Sequence, residues 1–192
     1  MPSRYDDEIW RLVPEDVGPP PAHLAAFARS LDAGGRVLDL GAGDGRLSTE
    51  LAAGDLTLAD VSEVALARAV ARLPAAATVQ LEPDAALPLG DSAFDLVLCA
   101  ETLEHVRDVQ LLLSEARRVL VPGGTLAVTT PAYGRRTGLA AAVGGFERAF
   151  DPLSPHLRFF SARSLAALLE ALGFDPGPVR TRAGTLLARA TR

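Results

Sequence analysis

Lysine and asparagine are missing from this 192-residue chain, and all nineteen basic residues are arginine. So uniform a choice reflects the base composition of the coding genome rather than function. Acids outnumber bases, and the net charge is −5. That balance leaves no basic footprint, so nucleic acid is not expected as a partner. With one cysteine, no intrachain disulfide can form. Cys99 falls inside an apolar strand pattern and reads as inert core. No apolar run approaches a membrane span, and the first residues lack the apolar stretch of a signal peptide. A cytoplasmic protein without a membrane partner is expected. No His/Cys/Asp cluster has metal-ligand spacing, so no metal is expected either. What is present is enough for one domain: ample length for a core, 48% apolar residues, and no repeat, linker or low-complexity tract.

The most informative stretch runs from Arg36 to Asp60. Val37–Leu40 is a short apolar run that reads as a buried strand, and Gly41, Gly43 and Gly45 follow at once. Leu47 and Leu51 recur four apart, as on the inner face of a helix. Strand, glycine turn and helix together direct backbone N–H groups at a polar ligand. A second strand, Leu56–Ala59, ends at Asp60, nineteen positions after Gly41. An acid at that spacing can accept hydrogen bonds from both hydroxyls of a ribose. The glycines read GxGxG, with Arg46 where a dinucleotide-binding turn has its third glycine. This favours a nucleoside ligand without phosphates over NAD or FAD.

Further along, strands are predicted at Thr78–Leu81, Phe94–Ala100 and Thr125–Thr130, with two weaker ones near 174–181 and 184–190. Helices are predicted from Pro21 to about Leu31, from the Ser62 cap through Leu73, after Asp108 with Leu112, Ala116 and Val119 on one stripe, and after Ser161 with Leu165, Leu168, Leu169 and Leu172 inward. Pro122-Gly123-Gly124 is expected to turn the chain. This alternation implies an α/β fold: a doubly wound, mainly parallel sheet with helices on both faces. Residues 1–18 form an arm whose Tyr5, Ile9 and Trp10 either anchor it or close over a ligand. Residues 131–160 form a lid or substrate segment with a helix from about Leu139 to Phe150. Phe146, Phe150, Phe159 and Phe160 offer an apolar contact surface.

VLDLGAGDGRLS, Asp60, EPDAALPLGDSAFDLVLCAETLEHV and RVLVPGGTLAVTTP resemble, in order and spacing, the class I S-adenosylmethionine-dependent methyltransferases, above all the small-molecule enzymes of quinone-biosynthesis type. HLRFFSARSLAALLEALGF is similar to their tail. The resemblance covers residues 35–175. It implies a Rossmann-like, seven-stranded sheet whose last strand is antiparallel. It implies S-adenosyl-L-methionine as cofactor and S-adenosyl-L-homocysteine as product. By the same resemblance, Asp39, Gly41, Ala42 and Gly43 hold the methionine end; Tyr5 is a cofactor-binding candidate from the reading of the arm, not from the resemblance. Asp60 takes the ribose, and Val61 packs on the adenine. Asp84 accepts from the adenine amino group with the Ala85 N–H beside it, and Ala100 and Glu101 line the cleft near the methyl. Glu82-Pro83 departs from the glycine the family commonly carries before Asp84.

Methyl transfer from a sulfonium is an in-line displacement governed by alignment, which supplies up to about 7–11 kcal/mol in the best cases. A hydroxyl acceptor would gain from a general base, and His105, His156, Glu101 and Glu104 are the candidates; His23 reads as surface. Arg135, Arg136 and Arg148 are candidates for binding an acidic acceptor. Ala100-Glu101-Thr102-Leu103 stands where enzymes acting on base amines or glutamine amides carry an Asn/Asp-Pro-Pro-aromatic run, so a small-molecule acceptor is expected. The competing readings are a nucleotide-dependent oxidoreductase and a catalytically silent cofactor-binding protein. The oligomeric state, monomer or homodimer, is open.

Overall fold

The computed structural model describes residues 4–134, 138 and 154–192. The helix expected at 139–150, with Arg135, Arg136, Arg148, Phe146 and Phe150, lies outside the described residues. Strands are β1 (Arg36–Leu40), β2 (Asp55–Asp60), β3 (Ala77–Gln80), β4 (Phe94–Ala100), β5 (Leu120–Pro131), β6 (Asp175–Pro176), β7 (Arg180–Arg182) and β8 (Thr185–Thr191). Helices are α1 (Arg4–Leu12), α2 (Ala22–Arg29), α3 (Glu63–Arg72), α4 (Val109–Val119) and α5 (Ala162–Ala171). The sheet order is β3-β2-β1-β4-β5-β8-β6, with β7 also on β8. β1 to β5 are parallel, and β8 runs antiparallel to its neighbours.

Side chains alternate across this sheet, and both faces are apolar because both are covered. Leu38, Val97, Cys99, Leu126 and Val128 meet Leu113 and Ala116 of α4 and Leu165 and Leu169 of α5. Val37, Leu58, Leu96, Leu98 and Ala127 meet Ala28 of α2 and Leu66 and Ala69 of α3. Cys99 is fully buried, and burial pushes its thiol far up, which makes it inert. Ser62, Asp108 and Ser161 each accept a backbone N–H as helix N-caps, as the sequence predicts.

Four expectations change. The helix after the glycine turn is only a 3-10 turn, Ser48–Glu50. Eight residues separate Gly45 from Gly54, and Ser48 is drawn under the loop to donate to Asp39. The described sheet has eight strands rather than seven, because its outer strand is split: Pro176 and Pro178 lack the N–H a continuous ladder needs. Pro122-Gly123-Gly124 lies inside β5, where the β4 register shifts between Phe94 and Leu96, instead of preceding it. Phe160 is core at 7% exposure and so does not belong to an outer apolar surface. Among the described residues, no helix is long and apolar enough to cross a membrane.

Candidate active site

Strand order reverses between β1 and β4, and ligands of open α/β sheets bind at the carboxyl ends of strands where this happens. A cleft of about 1250 Å³ opens there. Gly41 and Gly43 from the β1 loop line it, with Asp60 and Val61 from the end of β2. Asp84, Ala85, Glu101, His105 and Tyr5 complete the predicted residues that reach it. Asp39, Ala42, Ala100 and His156 do not line it.

The loop is held by backbone: Gly41 N–H and Ala42 N–H both donate to Ala59 O, at 2.8 and 3.1 Å. Gly41 has φ +81°, and a Cβ there would lie 2.4 Å from Thr102 Oγ1. Only glycine combines that backbone with that approach. Asp60 closes the opposite wall at 7% exposure. Its Oδ2 accepts from Gly43 N–H at 2.8 Å and its Oδ1 from Ser62 N–H at 2.9 Å. Each oxygen keeps a second lone pair for a ligand hydroxyl. Burial raises the Asp60 carboxyl, and the two N–H donors oppose that rise. Asp39 sits beneath the loop at 2% exposure, bonded to Ser48 Oγ, and burial lifts its pKa to about 7.

Asp84 and Glu101 are non-glycine residues with φ of +53° and +51°, so two turns at the cleft hold left-handed backbone. Asp84 pairs with Arg107 at 3.7 Å on the open rim. Glu101 accepts from Thr129 Oγ1 at 2.8 Å, and Glu104, 1% exposed, accepts from Thr130 Oγ1 at 2.9 Å. Burial raises both carboxyls, that of Glu104 to about 7. His105 Nδ1 lies 3.2 Å from Pro155 O. A carbonyl only accepts, so Nδ1 carries the hydrogen and Nε2 keeps its lone pair when the ring is neutral. Burial and His156 lower the His105 pKa, which favours that neutral ring. The two imidazoles meet edge to face at 4.8 Å.

Glu104, His105 and His156 thus bring one ligand atom each within 4.8 Å of one another. Spacing along the chain carried no sign of this grouping, because His156 arrives from fifty-one positions away. One carboxylate and two imidazoles are a donor set that could hold a transition-metal ion. The paired Thr129 and Thr130, both fully buried, are the partners that sequence reading missed. Two consecutive hydroxyls ending an apolar strand were the available signal.

The chain matches the family described as "Methyltransferase domain" over residues 10–176. It is 34% identical over 184 residues to a probable S-adenosylmethionine-dependent methyltransferase of Mycolicibacterium smegmatis, covering 91% of this chain and 63% of that protein. It is 33% identical to a demethylmenaquinone methyltransferase of Beutenbergia cavernae, covering 95% of this chain and 78% of the relative. The YcgJ protein of Bacillus subtilis shares the fold, with a TM-score of 0.72 at 16% identity over 90% of this chain and 99% of that one. The chain spans 63% or less of the length of several curated relatives that it matches.

Proposed function

This chain belongs to the S-adenosylmethionine-dependent methyltransferase family, and we propose that it transfers a methyl group from that cofactor to a small-molecule acceptor by in-line displacement. The observation that carries the reading is Asp60, buried at the cleft wall, tied to Gly43 N–H, and still able to accept two hydroxyls. The fit is chemical as well. The cleft has room for a nucleoside and an acceptor together, and the Arg46 position withholds the third glycine a pyrophosphate turn uses. Bound here, the cofactor supplies an electrophilic methyl on a sulfonium. Gly41 and Gly43 would take its methionine end, Asp60 its ribose, Val61 and Ala85 its base, with Asp84 beside them. Asp39, set behind the loop, would act by fixing the loop's shape through Ser48.

On the acceptor side, His105 Nε2 is the proton acceptor of the reading. Glu104, whose Oε1 is 3.8 Å from that nitrogen, steadies the imidazolium as it forms. Glu101, bonded to Thr129, would orient the acceptor, and His156 packs the His105 ring in place. Val106, Leu111 and Leu157 add apolar wall, which suits the ring-bearing acceptor that the demethylmenaquinone relative's name implies. The reading includes a cytoplasmic monomer or homodimer with no nucleic-acid partner, in keeping with the net charge of −5.

Calorimetry tests the cofactor first. S-adenosylhomocysteine is expected to bind and NADH is not; the reverse would return the oxidoreductase reading. Turnover of a panel of quinols and phenols then separates an enzyme from a silent binding protein. The pH dependence follows from the carboxyl that titrates near neutrality. Glu104 is protonated below about 7 and charged above it, whereas burial and His156 hold the His105 pKa below its ordinary value, which favours the neutral ring. With a hydroxyl acceptor, the rate should therefore climb as pH rises through about 7 and then level. Glu104→Gln should flatten that rise, and His105→Gln should cost about 10²–10⁴-fold. A wild-type profile flat from pH 6 to 8 would remove Glu104 and His105 from the chemistry.

A further inference from the structure

Helix α1 lines the cleft, and its contacts converge on the two segments that carry Gly43 and Asp60. The Trp10 indole covers Gly43: a Cβ on that glycine would lie 2.8 Å from Trp10 Cζ2 and 3.0 Å from Cη2. Tyr5, Asp6, Ile9 and Val13 turn toward the same cleft. Asp7 Oδ1 accepts from Ser62 Oγ at 2.6 Å and from Val64 N–H at 3.3 Å. Ser62 N–H, in turn, donates to Asp60 Oδ1. The carboxylate on the cleft wall and the carboxylate of the arm therefore grip one residue from its two ends. Arginines one turn apart on α3 finish the attachment. Arg68 donates to Val13 O at 3.0 Å and sits 5.9 Å from the Trp10 ring centroid, while Arg72 reaches Glu15 O at 3.2 Å.

Resting on the methyltransferase reading, we propose that Trp10 is a binding residue for the cationic methionine end of the cofactor, and that Asp7 is a positioning residue that holds Trp10 there through Ser62. The chemistry is direct. A ligand that follows the glycine loop meets the indole over Gly43. An indole face attracts a sulfonium or ammonium, as it already does the Arg68 guanidinium. Asp6, also facing the cleft, adds negative charge near Asp60. Because Asp60 and Asp7 share Ser62, a ligand that orders the Asp60 segment also orders the seat of α1. Closure and occupancy then favour each other, a coupling of two sites through one element.

Trp10 is the only tryptophan, so its fluorescence reports on this contact without labels. Titrating the full chain with S-adenosylhomocysteine should change the emission in step with the calorimetric binding curve. Trp10→Ala should weaken S-adenosylhomocysteine binding by about tenfold or more, with Trp10→Phe in between, given the worth of a desolvated aromatic contact. Asp7→Ala should weaken it by about 5–20-fold, and Asp7→Asn, which keeps an oxygen for the Ser62 hydroxyl, by no more than about twofold. In turnover, Asp7→Ala should raise the KM for the cofactor and leave kcat near wild type. Melting curves without ligand identify a variant that has lost its fold; Trp10→Phe and Asp7→Asn then carry the test. If wild type binds no S-adenosylhomocysteine, the methyltransferase reading itself fails. If wild type binds but its emission does not move, or if Trp10→Ala and Asp7→Ala bind as wild type does, that reading survives and α1 is a passive cover.

Discussion

Replacing Asp60 with alanine is expected to abolish cofactor binding at ordinary concentrations. In the proposed function the side chain would offer two oxygens to a ribose diol while receiving Gly43 N–H and Ser62 N–H. A hydrogen bond to a charged group contributes about 1.5–3 kcal/mol. Losing two of them weakens S-adenosylhomocysteine by about 10²–10⁴-fold, since each 1.4 kcal/mol is a factor of ten. The freed Gly43 and Ser62 amides also loosen both rims of the cleft. Asp60→Asn keeps one accepting oxygen and should fall between the two. Calorimetry on folded variants decides the matter, and Asp60→Ala binding within threefold of wild type would end the assignment of this residue.

The second large effect is on stability. Gly41→Ala places a Cβ at φ +81°, 2.4 Å from Thr102 Oγ1 and 2.5 Å from its Cγ2. Left-handed backbone costs an L-residue about 1–2 kcal/mol. The overlap with a residue at the adjoining strand end raises the total to roughly 2–4 kcal/mol. For a chain of this size that is a fall of roughly 5–15 °C in Tm. Gly123 provides the control. It has φ +80° with nothing within 4 Å of its Cβ position, so Gly123→Ala should cost only the backbone part, about 1–2 kcal/mol. Adding Thr102→Ala to Gly41→Ala should recover part of the loss. Equal melting temperatures for the two glycine variants would show that the approach of Thr102 has no energetic consequence.

The fold was legible wherever a local rule and the tertiary context agree. Leu96 to Cys99 read as a strand buried on both faces from an unbroken apolar run, and the helix after Asp108 read from Ala116 and Val119 of its stripe, although the core takes Leu113 where Leu112 was expected, Leu112 being only partly buried. The position of Asp60 in the cleft was legible because it ends the strand that pairs beside the one carrying the glycine loop. The helix after that loop was not. A leucine pair four apart is an α-helical signal, but Leu47 and Leu51 only flank the 3-10 turn, and the contact that holds the turn, Ser48 with Asp39, is a buried polar pair with no periodic trace. Glu101 with Thr129 and Glu104 with Thr130 were hidden for another reason. They follow from the register that sets Ala100 beside Thr129, and strand pairing is decided across the sheet. His156 came within reach of His105 only through the fold, since fifty-one positions in sequence say nothing about distance.

The two rims of the sheet have a consequence of their own. One is β3, only four residues long and mostly exposed, and the other is divided between β6 and β7, with two and three residues. Arg180 and Arg182 stand outward along the latter. A polymerising strand needs a long, uncharged ladder to zip onto, and neither margin supplies one. Among the described residues, the hydrogen-bonded array is therefore closed to growth at both of its margins.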